Sequence, residues 1–282
     1  MENKIDVNGA ITISNGLKIP VIGLGVFKSS GGEETVNAVR WAIEAGYRSI
    51  DTAMIYHNEE SVGEGIRRSG VPRKDIFLCS KVWNADIKAR RTREAFSESL
   101  ERLGTDYLDS YLLHWPVDGF KEAWEELEKL YDEGRIKVIG VSNFNISHLE
   151  ELYRSARIQP MINQIESHPY LVQKELLDYC QNRGIVCEVW SPLGGTGGNL
   201  LEDETILGLA GKYEKSPAQI VIRWDIQRQV VVIPKSVHKE RIEQNLQVFD
   251  FELEEEDMRI IDSLNRDLRV GPDPQAMAEK WR

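Results

Sequence analysis

The sequence has few cysteines, and their spacing is not that of a metal site or a redox pair. Cys79, Cys180 and Cys187 are the only three, and none belongs to a Cys-x-x-Cys motif. Small secreted folds that depend on disulfides carry an even set of cysteines. The first six residues also lack the apolar stretch of a signal peptide. Reduced thiols in a cytoplasmic protein are therefore expected.

Positive charge is also scarce. The chain has 35 Lys and Arg against 46 Asp and Glu, which gives a net charge of -11. A broad surface for nucleic acid or for an anionic membrane is therefore not expected. No apolar run approaches the ~18 residues that cross a bilayer. In so acidic a chain, a local cluster of Lys and Arg is informative.

Several short nucleotide-binding and catalytic motifs are absent. The chain has no P-loop, no H-E-x-x-H and no G-x-S-x-G. The segment from Gly23 to Lys28 begins as G-x-G but lacks the third glycine of a dinucleotide-binding open sheet. These absences disfavour the four corresponding kinds of site.

What the chain does contain is a repeated alternation of strand and helix. Apolar runs bounded by turn residues predict strands at residues 21–25, 48–51, 76–81, 107–114, 136–141, 161–165, 186–190 and 230–233. Amphipathic stretches predict helices at 33–45, 60–68, 90–103, 121–132, 147–154, 173–182, 203–213, 216–227, 239–246 and 254–264. This α/β pattern fits an open doubly wound parallel sheet or a closed barrel. Eight units without a flexible linker favour a single (β/α)8 TIM-barrel domain over residues 1–282.

Both ends of the chain lie outside this repeat. Two short alternating segments flank Asn15-Gly16, which predicts a β-hairpin that closes the bottom of the barrel. Extra helices follow the last strand, and the tail from Asn265, rich in Pro and Gly, is predicted to be loop. Within the repeat, Ser147 is predicted to cap its helix, with Glu150 completing a capping box.

Polar side chains stand at the carboxyl ends of the predicted strands, where barrel enzymes place their chemistry. Three successive strands end at an acid, an amine and an imidazole, namely Asp51, Lys81 and His114. Tyr56 follows closely after the first and can reach the same mouth. A lone histidine after an apolar strand is more often structural, but the convergent set indicates a site. The remaining strand ends carry Ser142, Asn143, Glu166, Trp190, Ser191, Lys235 and Ser236.

These side chains suit proton transfer to a carbonyl oxygen. A free tyrosine has a pKa of about 10, and the ammonium of Lys81 is expected to lower the pKa of Tyr56. Asp51 would hold the lysine and keep it charged, and His114 would orient a carbonyl oxygen or relay protons. Tyr56 would then act as general acid toward a developing alkoxide, provided that a hydride donor lies opposite.

A basic segment offers a site for that donor. Residues 233–241 place Lys235, Lys239 and Arg241 at a strand end and the following helix start. Helix N-termini bind phosphate through free N–H groups, and Lys and Arg add charge. The segment suits a 2′-phosphate and hence NADP, with a solvated basic helix start as the simpler alternative. Trp190 offers a flat face for a nicotinamide.

A metal-dependent barrel hydrolase is a further alternative. It would use His114, Glu166 and His168 as ligands. The first strand carries no H-x-H pair, and the ammonium of Lys81 would repel a cation. No metal is therefore expected.

Four segments together resemble the signatures of the aldo-keto reductase superfamily, and the likeness covers nearly the whole chain. They are GYRSIDTA at 46–53 with Tyr56 and Asn58-Glu59, LDSYLLHWP at 108–116, GVSNF at 140–144 and IPKS at 233–236. The resemblance implies an eight-stranded barrel, NADPH-dependent reduction of aldehydes or ketones, and a monomer that takes small carbonyl substrates.

The resemblance also implies roles for individual residues. Tyr56 would be the proton donor, Asp51 and Lys81 its modulators, and His114 the group that orients the substrate. The nicotinamide end of the cofactor would contact Gly25, Val26, Ser142, Asn143, Gln164 and Trp190, the last where the family often has a tyrosine. The pyrophosphate and the 2′-phosphate would contact Ser191, Pro192, Leu193, Lys235, Ser236, Val237, Arg241, Gln244 and Asn245. The aromatic substrate pocket would contain Phe27, Trp83 and Trp115.

The short connection at 116–121 resembles a small bacterial branch of this family. That branch contains glyoxal and methylglyoxal reductases and 2,5-diketo-D-gluconate reductases, and lacks the long loops of the steroid reductases. Some relatives on this fold serve as regulatory subunits, so a non-catalytic NADPH-binding module is the alternative. The intact set of Asp51, Tyr56, Lys81 and His114 argues against it.

Overall fold

A curled sheet of eight parallel strands forms the centre of the molecule. The computed structural model describes residues 9–195 and 198–281. An antiparallel hairpin, β1 (Ala10–Thr12) and β2 (Lys18–Pro20), precedes the sheet. The parallel strands follow in chain order as β3 (Leu24–Gly25), β4 (Ser49–Asp51), β5 (Phe77–Val82), β6 (Leu108–Leu113), β7 (Ile136–Ser142), β8 (Ile162–Glu166), β9 (Val186–Trp190) and β10 (Val231–Val232).

The two edges of this sheet meet, so the sheet is a barrel. Ile22, just before β3, pairs in parallel with Val232 on β10, and Gly25 pairs with Lys235. The N–H of Gly23 donates to the Val232 carbonyl at 2.9 Å, which satisfies backbone groups that an open edge would expose. The predicted (β/α)8 barrel is therefore confirmed. The open-sheet alternative is wrong.

Twelve helices are present in the described part of the chain. They are α1 (Glu33–Ala45), α2 (Glu59–Ser69), α3 (Asn84–Lys88), α4 (Thr92–Leu103), α5 (Phe120–Asp132), α6 (Ile146–Tyr153), α7 (Lys174–Asn182), α8 (Glu204–Tyr213), α9 (Pro217–Gln227), α10 (Lys239–Leu246), α11 (Glu255–Asp262) and α12 (Pro274–Lys280). Local signals explain their ends. Gly46 ends α1 with a φ of 117°, and Ser216 forms a capping box with Gln219 before α9. None of these helices is long and apolar enough to cross a membrane.

The hairpin covers the bottom of the barrel, as predicted. Its side chains Ile11 and Ile19 are fully buried. At its turn, the Asn15 side-chain amide donates to the carbonyl of Lys137 at 2.9 Å. Lys137 is the second residue of β7, so this contact lies at the amino-terminal mouth. The opposite mouth, where the strands end, stays free of the hairpin.

Two predictions about helices are wrong: the structure of the tail and the start of α6. The tail is not all loop, because Pro274 occupies the first turn of α12, where proline is tolerated, and Asp273 caps it by accepting the Ala276 N–H at 3.0 Å. Helix α6 begins at Ile146, and its cap is Asn145 rather than Ser147. The Asn145 side chain forms the capping box with His148, so the predicted box with Glu150 does not form.

Helices α2 and α4 approach so closely that only glycine fits at one contact. A Cβ added to Gly63 of α2 would lie 2.2 Å from the carbonyl oxygen of Leu103, the last residue of α4. The obstacle is backbone, which cannot rotate away as a flexible side chain can.

We therefore expect Gly63→Ala to lower the free energy of unfolding by about 1–3 kcal/mol, the usual cost of overpacking. Gly211→Ala on the exposed face of α8 is the matched control, since a Cβ there meets nothing within 4 Å. The control should raise stability by about 0.5–1 kcal/mol through helix propensity. Urea unfolding measures both. A Gly63→Ala variant as stable as the wild type would contradict the close approach.

Candidate active site

A buried ion pair lies at the centre of the carboxyl-terminal mouth. Lys81 on β5 is fully buried, and Asp51 at the end of β4 is 3% exposed. The Lys81 ammonium donates to both carboxylate oxygens of Asp51 and to the carbonyl of Thr52, each at 2.8 Å. Burial disfavours the charged amine, but the charges of Asp51, Tyr56 and Cys79 and the hydrogen bond to Asp51 together outweigh this, and the pKa of Lys81 is raised above its ordinary value. Lys81 therefore stays a cation.

Tyr56 stands beside this pair on a 3-10 turn, Met54–Tyr56, that follows β4. The Lys81 nitrogen lies 5.2 Å from the centroid of its ring. Burial raises the pKa of Tyr56 to about 12, against the smaller lowering effect of Lys81. The ammonium of Lys81 lowers this pKa, as expected, but burial has the larger effect, so the pKa of Tyr56 is raised overall. The phenol is protonated at neutral pH, which is the form that a proton donor requires.

His114 follows β6 and meets the same mouth. Its ring is edge-on to those of Tyr56, with centroids 5.9 Å apart, and Trp83, at 5.1 Å. Burial, assisted by the charge of Lys81, holds the pKa of His114 well below its usual range. The imidazole is therefore neutral at pH 7. Its Nδ1 atom is buried without a hydrogen-bond partner among the described residues.

Aromatic side chains surround the open side of this cluster. The Phe27 ring is 54% exposed and 4.9 Å from that of Tyr56. Trp115 stacks on His114 at a centroid distance of 6.4 Å. Trp281 at the end of α12 lies edge-on to Trp83 at 6.1 Å, a contact that sequence reasoning missed because the tail was predicted to be loop. The sequence signal for this helix is Asp273 followed by Pro274, a capping residue and then a proline at the first helical position.

A second buried carboxyl group lies below the ion pair and was also missed. The Gln164 side-chain nitrogen donates to Asp51 at 2.8 Å and to Glu188 at 2.5 Å. A nitrogen is required there, since an oxygen would face two carboxyl groups. Burial, and next the charge of Asp51, raise the pKa of Glu188 to about 8. The signal was an acid in the middle of β9, whose neighbours are apolar.

The next group of residues joins the mouth to the strand ends of β7 and β9. Asn143, in the left-handed backbone region with a φ of 63°, donates from its amide to the carbonyl of His114 at 3.0 Å. Its side-chain oxygen accepts the indole N–H of Trp190 at 3.0 Å. The Ser142 hydroxyl donates to the carbonyl of Gln164 at 3.1 Å. Trp190 is half-buried, so part of its surface faces outward.

The basic segment lies on the β10 side of the same mouth. Lys235 pairs with Gly25 of β3, and Ser236 accepts the N–H of His238 just before α10. Lys235 and Arg241 are exposed, and neither has an ion-pair partner within the described residues. The predicted residues of this end are Ser191, Pro192 and Leu193 after β9, then Ser236, Val237, Gln244 and Asn245; Val26 follows β3.

These residues fit a nicotinamide dinucleotide. A half-buried aromatic plane lies near the buried acid–base cluster, and the exposed cations Lys235 and Arg241 lie just before and within the first turn of the eight-residue helix α10. The first suits a flat, weakly polar ring, and the second suits phosphate.

His114, Glu166 and His168, the ligands of the metal-hydrolase alternative, do not form a group that could hold a metal ion within the described residues. His168 lies 3.2 Å from Glu166, but both Glu166 oxygens bind backbone N–H groups of residues 270–271. Within the described residues, the single group of three possible metal ligands is Asp51, Cys79 and Glu188. The Lys81 ammonium already occupies the Asp51 carboxylate of that group.

Known proteins resemble this chain over most of its length. Residues 21–266 match the profile of the Aldo/keto reductase family. An uncharacterized oxidoreductase of Bacillus subtilis, YtbE, is 58% identical over 93% of this chain and 95% of its own. A glyoxal reductase of the same species is 54% identical over 95% and 96%. The crystal structure of MGS-M4, an aldo-keto reductase from a deep-sea metagenome library of the Medee basin, superposes with a TM-score of 0.90 at 46% identity, covering 93% of this chain and 97% of that one.

The raised pKa of Glu188 predicts a pH-dependent stability. Its folded pKa lies above the unfolded value of 4.5, so between pH 4.5 and 8 the folded state binds more protons and stability falls as pH rises. Glu188→Gln removes this titration but keeps an acceptor for Gln164. Relative to the wild type, the variant should gain up to about 1.4 kcal/mol per pH unit between pH 5 and pH 8.

Urea unfolding of both proteins at pH 5, 6, 7 and 8 measures this gain. Glu255→Gln, on the exposed surface of α11, is the control and should show no such trend. A stability difference for Glu188→Gln that is flat across these pH values would contradict the raised pKa.

Proposed function

The chain belongs to the aldo/keto reductase family, and we propose that it reduces small aldehydes, glyoxals and keto sugars to alcohols with NADPH, using Tyr56 as the proton donor. One observation carries this proposal: a protonated phenol stands at an aromatic-lined mouth, beside a buried cation and a neutral imidazole. The glyoxal reductase among its relatives supports the substrate class.

Protein side chains bind and orient the carbonyl oxygen of the substrate. His114, as a neutral imidazole, can donate a single hydrogen bond to that oxygen and orient it toward Tyr56. Phe27, Trp83 and Trp115 enclose the apolar part of the substrate and exclude water. The bound dinucleotide supplies the hydride.

Proton transfer follows from the order of basicities. An alkoxide is a stronger base than a phenolate, so it takes the proton of Tyr56 even though the pKa of that tyrosine is about 12. The phenolate left behind is stabilised by the ammonium of Lys81. Asp51 and the Thr52 carbonyl keep that ammonium in place.

Preference for NADPH over NADH is proposed to come from Lys235 and Arg241. Both are exposed cations of an acidic protein, at the end of the barrel mouth next to α10. Within the described residues neither forms an ion pair, although the charge of Lys235 contributes to a lowered pKa of Glu34, and a 2′-phosphate would supply a direct anionic partner.

We also propose a cytoplasmic monomer with no nucleic-acid or membrane partner. The three cysteines are free and buried, which agrees with a reducing compartment. The net charge of -11 agrees with the absence of an anionic partner.

The proton-donor role is tested by Tyr56→Phe. We expect kcat with methylglyoxal and with nitrobenzaldehyde to fall about 10²–10⁴-fold, the usual contribution of a general acid, while the Kd for NADPH stays unchanged. Tyr107→Phe is the matched control, because Tyr107 precedes β6 at the opposite mouth. Near-wild-type turnover by Tyr56→Phe would reject the role. NADPH binding by the wild type without turnover of any carbonyl would favour the regulatory-module alternative.

The cofactor preference is tested by Arg241→Ala. Loss of one charge-assisted contact to a phosphate should raise the KM for NADPH about 10- to 100-fold and leave the KM for NADH within about 2-fold. Arg259→Ala, an exposed arginine of α11, is the control and should change neither. An equal change for both cofactors would reject a 2′-phosphate contact at Arg241.

A further inference from the structure

Trp190 is held at two opposite edges of its indole. At the pyrrole edge, its N–H donates to the Asn143 side chain at 3.0 Å. At the far edge, the backbone of Gly271 lies against the ring, since a Cβ added to Gly271 would stand 2.3 Å from Cη2 of the tryptophan. The indole is half-buried, so part of it remains exposed between these two contacts.

The backbone at Gly271 is held in turn by a buried carboxylate. Glu166, at the end of β8, is 1% exposed. Its two oxygens accept the N–H of Val270 at 2.5 Å and that of Gly271 at 3.2 Å. His168 lies 3.2 Å away and Arg269 3.9 Å away. A buried carboxylate is costly unless its oxygens are bonded, and here both bind the tail.

We propose that Glu166 is a positioning residue for the cofactor: by holding the backbone of residues 270–271 against Trp190, it fixes the ring on which the nicotinamide stacks. This inference rests on the proposed function, which gives Trp190 its stacking partner. Glu166 would touch neither substrate nor cofactor, and would act through residues 270–271.

The geometry explains why both edges are needed. The covalent bond to Cβ and the hydrogen bond at the indole nitrogen still leave the six-membered ring free to tilt about the line through these two points. Gly271 limits this tilt at the far end, and the bond from its N–H to Glu166 holds it there. A ring already immobilised loses less freedom when a ligand stacks on it, so binding is tighter.

A double-mutant cycle on cofactor affinity tests this path. Glu166→Gln preserves the size of the side chain but presents an NH₂ group to one of the two tail N–H groups. We expect it to raise the Kd for NADPH, measured by isothermal titration calorimetry, by about 3- to 10-fold. In a Trp190→Ala background the same substitution should change Kd by less than about 1.5-fold, because the ring on which it acts is gone.

Thermal unfolding separates this role from a general structural one. If Glu166→Gln acted only on overall stability, it would lower Tm equally in both backgrounds and raise Kd by the same factor in both. That result would overturn the proposal. Glu255→Gln on exposed α11 is the control and should leave Kd unchanged.

Gly271→Ala gives an independent route if Glu166→Gln does not fold. It keeps the carboxyl group itself, although the new Cβ would lie 3.2 Å from one Glu166 oxygen, and its main clash, at 2.3 Å, is with the indole. It should raise the Kd of the Trp190-containing protein alone. An effect of equal size without Trp190 would overturn the proposal. If the wild type binds NADPH and reduces methylglyoxal while the effects of the two substitutions on Kd are additive in either cycle, the role of Glu166 is rejected and the proposed function stands. A wild type that binds no NADPH rejects both.

Discussion

The buried ion pair between Lys81 and Asp51 is the interaction on which the rest of the mouth depends. Taking two charges out of water is costly, and the attraction between them compensates only with complete hydrogen bonding. Here the ammonium has three acceptors at 2.8 Å, and the carboxylate has a further donor in Gln164. Neighbouring parallel strands supply this geometry, because β4 and β5 place their carboxyl ends side by side.

The Lys81 ammonium also affects the pKa values of two neighbouring side chains, Tyr56 and His114. It opposes the effect of burial on the pKa of Tyr56, since an ammonium favours the phenolate form. It also disfavours the imidazolium form of His114, which keeps that ring neutral. A low-dielectric mouth strengthens both effects relative to water. Asn143 bonds both to the backbone carbonyl of His114 and to the indole of Trp190, so it ties the chain that carries the imidazole to the aromatic plane.

The barrel and the residues of its mouth could be predicted because both depend on local pattern. Strand periodicity fixes where each strand ends, and the parallel topology brings Asp51, Lys81 and His114 together. Depth of burial does not show in local pattern, so the sequence predicts the lowering effect of Lys81 on the pKa of Tyr56 but not the larger, opposite effect of burial. The bond from Gln164 to Asp51 joins residues 113 positions apart, and only the closed barrel places them together.

The pairing of β3 with the segment around β10 has a consequence for folding. Ile22 and Val232 lie about 200 residues apart in the chain, so theirs is among the last contacts that a growing polypeptide can make. Gly25 pairs along the same seam with Lys235 of the basic segment. A ribosome-bound intermediate that has completed β9 already contains Asp51, Lys81 and His114. It has no closed barrel and no Lys235 beside Gly25, so the residues around the Lys81–Asp51 pair and the basic segment are synthesised at different stages.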